Sequence, residues 1–245
     1  MKSVKPLFVL AALLSGCAAQ QASVLQEEKP VLTETVQYLP SQSYDEQGNK
    51  VPYVARENPY MTQTGTVSKG SVLLFIEARK ALAADDEKTA QQKLQVITEQ
   101  DKTLAGPWVM LADISLKHAQ FDKAATEYQK AIAINARNVN AYLGLAETQR
   151  RQGQYLAAQN TYETALGVWP DFPEAHLNLG VLYDLYLNLP AKAQAHYEAY
   201  LFLTNKKSGD AMNWYKEVQS RTGITSSFID KGPVKAVAKA AQQGS

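Results

Sequence analysis

Residues 139–172 read VNAYLGLAETQRRQGQYLAAQNTYETALGVWPDF, and this stretch decides the fold. Tyr142, Leu145 and Ala146 recur at helical spacing on one face. After Gly153 the pattern resumes with Tyr155, Ala158, Tyr162 and Ala165, until Pro170 ends it. Two short helices around a glycine turn bury too little apolar surface to be stable alone. The flanking sequence supplies more of the same at a fixed distance. Trp108, Tyr142 and His176 are each 34 residues apart, as are Leu111, Leu145 and Leu179, and Ala78, Ala112, Ala146 and Gly180. The second halves keep the interval in Ala90, Ala124 and Ala158, in Leu94, Tyr128 and Tyr162, and in Ile97, Ala131 and Ala165. Several independent columns at one period mark a repeat array, in which each helical hairpin completes the core of the next. The small residues let paired helices approach, and the bulky ones fill the space between units.

The period divides the chain into units of about 71–104, 105–138, 139–172 and 173–207. In the fourth, Ala193 and Tyr197 fall one residue late, so a single insertion lies between Gly180 and Ala193. Pro190 stands where the second helix of that unit opens, a position that tolerates proline. The first unit is degenerate, with Glu77 in the leucine column, as suits a terminal repeat. Residues 208–222, with Trp214, Tyr215 and Val218, read as a capping helix that Gly223 can stop. The expectation is an all-α superhelix over 69–222, followed by a flexible tail over 223–245.

These columns resemble the tetratricopeptide repeat, whose pattern runs aromatic, Leu, small, aromatic, then Gly-x-aromatic, Ala, aromatic, Ala, Pro. Unit 139–172 is the best match, and unit 105–138 has Ala136 where proline is usual. The resemblance implies a protein-binding scaffold with a concave groove walled by the first helix of each unit. By that analogy the groove residues are Arg79, Met110, Asp113, Lys117, Asn140, Leu143, Glu147, Arg150, Arg151, Glu174, Leu177, Asn178 and Asp184. Both charge signs, amides and apolar side chains suit a peptide backbone plus selected side chains. Asn140, Arg150 and Asn178 echo a carboxylate clamp without completing its pattern.

The N-terminus reads as an address. Lys2 and Lys5 precede an apolar run from Leu7 to Leu14, far shorter than the roughly 20 residues of a bilayer-spanning helix. Leu14-Ser15-Gly16-Cys17 resembles the lipobox of bacterial lipoproteins, which implies cleavage after residue 16 and acylation of Cys17, for instance with palmitate. Two or three acyl chains anchor stably where one does not. Ala18, in place of an aspartate, implies the outer membrane of a Gram-negative envelope, facing the periplasm. Residues 17–68 follow as a lipidated N-terminus and extended tether, broken by Pro30, Pro40, Pro52 and Pro59. Thr33–Leu39 and Val51–Ala55 are β-like runs with a turn at Gly48-Asn49 between them. Tyr38, Tyr44, Tyr53 and Tyr60 leave open the alternative that this segment docks on the domain or on a partner.

The remaining composition narrows the function. The formal charge of +1 argues against nucleic acid as a partner. A single cysteine excludes an intrachain disulfide and a thiolate metal cage. No phosphate loop, metalloprotease helix or nucleophile elbow occurs, so no enzyme activity, cofactor, metal or small-molecule substrate is expected. His176 shares the column of Trp108 and Tyr142, His118 closes a helix near a turn, and His196 precedes the core Tyr197. His176 and His196 belong to one unit, but a metal site needs a third ligand that the sequence does not name. The expected function is an outer-membrane-anchored adaptor that assists assembly of a pilus, secretion or energising complex. The alternative is a regulator that docks peptidoglycan hydrolases or synthases.

Overall fold

Three-residue turns with one left-handed residue at the centre set the repeat. The computed structural model describes residues 30–63, 65–206 and 209–233. Helices α1 (Lys69–Ala83) and α2 (Glu87–Gln100) form the first hairpin, and α3 (Gly106–Lys117) and α4 (Phe121–Ile134) the second. The third is α5 (Val139–Arg151) with α6 (Tyr155–Val168), and the fourth α7 (Pro173–Leu185) with α8 (Pro190–Thr204). Helix α9 (Asp210–Thr222) caps the array and stops at Gly223, whose φ is +69°. The turn centres Asp85, Ala119 and Gly153 have φ of +59°, +56° and +78° and keep the 34-residue interval. Asn188, at φ +51°, comes one residue late. The inserted residue of the fourth unit therefore sits in its turn and leaves both helices in register.

The columns are the core. Ala78, Ala112 and Ala146 are fully buried, as are Ala90, Ala124, Ala158 and Ala193, and Gly180 is buried. At Gly180 a Cβ would stand 2.5 Å from the Tyr197 ring, so the two helices of the fourth unit meet at a distance only glycine permits. Gly144 accepts the Tyr128 ring of the preceding unit in the same way, with a Cβ falling 2.2 Å from it. Side-chain caps start three helices: Ser68 accepts from the Ser71 amide, Asp86 from Thr89 and Asn138 from Ala141. Pro107, Pro173 and Pro190 open three more, where the missing N–H costs nothing.

Residues 30–63 are extended but do not stand off as a tether. They form a strap along the second helices and the inter-unit loops. The Gln159 side chain brackets the Thr33 backbone, accepting from its amide at 2.9 Å and donating to its carbonyl at 3.0 Å. An isolated bridge joins Tyr44 and Lys50 around an Asp45 turn with Gly48 at φ +83°. The two β-like runs form no strand, because a helical array offers no sheet edge; side chains such as Gln159 satisfy the backbone instead. The first run instead contains a 3₁₀ turn, Val36–Tyr38.

Beyond the tyrosine contacts expected as an alternative, the strap holds the start of the tail. The Gln42 amide donates to the Ile229 carbonyl at 3.1 Å, and the Tyr44 hydroxyl donates to Asp230. Glu198 of α8 accepts from the Ser227 hydroxyl and the Phe228 amide. Ile229 is 1% exposed. Residues 223–233 are thus part of the folded domain, contrary to the expectation of a flexible tail: they carry no repeat period, but Ile229, Asp230 and the backbone around them find partners on α8 and the strap. Cys17, the lipobox and the tail beyond Pro233 lie outside the described residues.

Candidate functional site

The first helices of the units lie against one another, α3 on α5 and α5 on α7, and so form the inner wall of the superhelix. The strap and tail bind mainly the second helices and the loops that leave them, at Gln159, Glu163, Asp171, Lys192 and Glu198. Among the described residues, strap and tail leave the inner wall open.

Several of the thirteen expected groove residues are engaged within the protein. Lys117, at the end of α3, pairs with Glu87 and lies 3.6 Å from Asp85 of the preceding hairpin. Arg151 donates to the Leu116 carbonyl at 3.1 Å and lies over the Phe121 ring. Asp184 pairs with Arg221 of the capping helix. These residues stitch unit to unit along one rim. Arg150 holds Glu147 with two of its three nitrogens, at 2.9 and 2.7 Å, and donates from the third to the Tyr186 hydroxyl at 2.7 Å. Asp113 accepts from the Tyr128 hydroxyl, which reaches through from α4. Met110 packs into the core beside Ala78 and Leu94, and Leu143 and Leu177 are half-buried against the main core.

Arg79, Asn140 and Glu174 are exposed, and Asn178 is half-buried. Beneath Asn178 lies Tyr162, fully buried, with Glu147 and Arg150 also near its hydroxyl. That hydroxyl makes no well-formed hydrogen bond among the described residues, and Asn178 is the side chain placed to pair with it. Burial pushes it well above the ordinary tyrosine range, so it is a neutral donor at the groove floor. Buried polar groups are rarely left unpaired. What the groove offers is the side-chain amides of Asn140 and Asn178, the Glu174 carboxylate and part-exposed leucine side chains, which is chemistry for an extended peptide.

Outside the groove, His118 pairs with Glu87 at the surface, and His176 and His196 meet inside the fourth unit. No group of three His, Cys, Asp or Glu that could hold a metal occurs among the described residues, and none of their helices is long and apolar enough to cross a membrane. The roles of Thr35, Gln159 and Glu198 were not visible in the sequence: a threonine, a glutamine and a glutamate carry no period and no motif.

Residues 118–153 match the family described as TPR repeat, and residues 145–211 the family described as tetratricopeptide repeat. No curated protein matches the chain. Among solved structures, PilF of Pseudomonas aeruginosa is similar over 63% of this chain and 70% of its own, at 20% identity and a TM-score of 0.57. A tetratricopeptide repeat protein of Parabacteroides merdae is similar over 64% of this chain and 61% of its own, at 19% identity and a TM-score of 0.55. MamA of Desulfovibrio magneticus covers 64% of this chain with 88% of its own, at 14% identity and a TM-score of 0.53. Likeness at this identity speaks to fold. Together with the hairpin period and the two matched segments, it establishes that the chain carries a tetratricopeptide-repeat domain, a scaffold for protein–protein interaction.

Proposed function

We propose that this protein is a non-catalytic adaptor of the bacterial envelope, held by an acylated Cys17 at the outer membrane and facing the periplasm. Its groove takes a protein segment and presents it during assembly of a pilus, secretion or energising complex. The observation that carries the adaptor reading is the open inner wall. Strap and tail cover the opposite side, while Asn140, Glu174 and Asn178 are left at the groove. The lipobox resemblance supports the anchor.

Photo-crosslinking in cells from Asn178 tests the groove, and Asn140→Arg with Glu174→Arg tests its chemistry. Both substituted residues are exposed, so helicity stays unchanged while recovery of the crosslinked partner falls about tenfold, the equivalent of one lost contact of ordinary strength. Unchanged recovery overturns the groove as the site. Pilus, secretin or energising components among the products support the assembly reading, whereas wall hydrolases or synthases replace it. Cys17→Ser should lose acyl labelling and shift the protein from the membrane to the soluble periplasmic fraction.

A further inference from the structure

The strap ends on two buried imidazoles. His176 of α7 and His196 of α8 are fully buried and face each other Nδ1 to Nδ1 at 2.9 Å. His176 Nε2 lies 2.8 Å from the Pro170 carbonyl, which only accepts, so that nitrogen carries the hydrogen. Its Nδ1 is then an acceptor and His196 Nδ1 the donor. His196 Nε2 in turn accepts from the Thr35 hydroxyl at 2.7 Å. Thr35 accepts from the Tyr183 hydroxyl at 2.9 Å, and Tyr183 accepts from Gln159 Nε2 at 3.0 Å. These proton positions are assigned from the network, in which each ring donates once and accepts once. Both imidazoles are neutral, and the fully buried Thr35 is the group by which the strap enters the core.

An added proton on either ring reverses this chain. His196 would donate from Nε2, and Thr35 would have to donate to Tyr183. The Tyr183 hydroxyl would then receive two donors and find no acceptor for its own hydrogen. A buried unpaired donor and a buried unpaired charge are both costly, and expelling Thr35 to admit water relieves both.

Of the charged groups around the pair, Asp171 favours a charged His176, but by less than burial disfavours it. Asp171, in the loop between α6 and α7, already accepts from the Tyr53 hydroxyl and the Arg56 amide. Lys192, one turn before His196, is paired with Glu34 of the strap at 2.9 Å. Glu163 of α6 holds the Tyr38 hydroxyl at 2.6 Å. Burial lowers the His176 imidazole to about 4, and burial with the nearby His176 and Lys192 holds His196 well below the ordinary range.

We propose that the His176–His196 pair is an acid-operated latch on the strap. Neutral, it holds Thr35 inside the array; protonated, it expels Thr35 and frees residues 30–40 while the hairpins stay folded. The sign follows from linkage. A histidine that binds its proton more weakly when docked favours the docked state above its ordinary range, and this preference is lost as pH falls from about 6.5 toward about 4. With the chain held at Cys17, as proposed above, release lengthens the span from anchor to array by at most about 3.5 Å per freed residue. The latch itself does not depend on that anchor.

Hydrogen exchange of the full chain, corrected for the intrinsic pH dependence of exchange, tests the latch. Corrected rates over residues 32–39 should rise about tenfold or more between about pH 7 and about pH 4, with those of α3 to α6 unchanged. His196→Gln keeps a neutral donor and acceptor and should flatten the response. Thr35→Val should exchange fast at both pH values, and it decides alone if the histidine variant does not fold. Strap protection that persists to about pH 4 overturns the latch, as does loss in step with α3 to α6 or an acid response retained in either variant. A failed anchor would show in the fractionation of Cys17→Ser and leave these rates untouched.

Discussion

The first and last hairpins share one helical pattern, apart from a residue inserted in the last turn, and differ in what covers them. The α1–α2 pair buries Ala78, Ala90, Leu94 and Ile97 but leaves Val72, Leu73 and Ile76 exposed. A cleft of about 490 Å³ opens beside it between Tyr60, Val67, Phe75 and Leu104. The α7–α8 pair buries His176, Tyr183, His196 and Tyr197 to 1% exposure or less. It has α5–α6 on one side, α9 on the other, and strap and tail across its second helix. A repeat sequence specifies hairpins evenly along the chain. Burial, and with it stability, is distributed by the neighbours and by the two non-repeating segments.

The sharpest way to break this contrast is to truncate one large side chain in each hairpin. Tyr197→Ala removes a fully buried ring that fills the Gly180 notch and should cost about 3–5 kcal/mol in thermal or denaturant unfolding. Leu73→Ala, at a 61%-exposed position of the first hairpin, should stay within about 0.5 kcal/mol. Equal losses would mean that the array shares its stability uniformly.

A smaller effect is expected where the tail is seated. Glu198→Ala removes the acceptor of Ser227 and Phe228 and should cost about 1–2 kcal/mol, with protease sensitivity appearing in residues 224–233 before α3 or α4 is cut. Simultaneous cleavage of both would show that the tail is no separate layer.

The smallest change sharpens the comparison between units. Ala119 holds φ +56° at the turn where the next unit has Gly153. Ala119→Gly should raise stability by about 1 kcal/mol, because the left-handed strain outweighs the extra entropy of glycine in the unfolded chain.

How much of this was legible in sequence can be read residue by residue. Tyr128, Tyr162 and Tyr197 occupy their column because every unit presents the same gap, and periodicity reports such repetition directly. The late Ala193 and Tyr197 placed the insertion, which lies at the turn around Asn188. Among groove residues, type and helix face were readable and engagement was not. Arg151 and Asp184 look like contacts for a partner until the Leu116 carbonyl and Arg221 are seen to hold them.

The strap shows the same boundary from the other side. Its tyrosines suggested docking, but nothing in Thr33 or Thr35 announced that they would meet Gln159, Tyr183 and His196 across 126 or more residues. By itself the sequence determined the hairpins, their period, the close approach at Gly180 and the helix stop at Gly223, because these depend on residues near in chain or repeated along it. Only the tertiary structure decided that residues 30–63 and 223–233 belong to the domain, and that two histidines form a buried pair. Such contacts occur once each, so no period reports them, and their energy exists only after the array has folded to receive them.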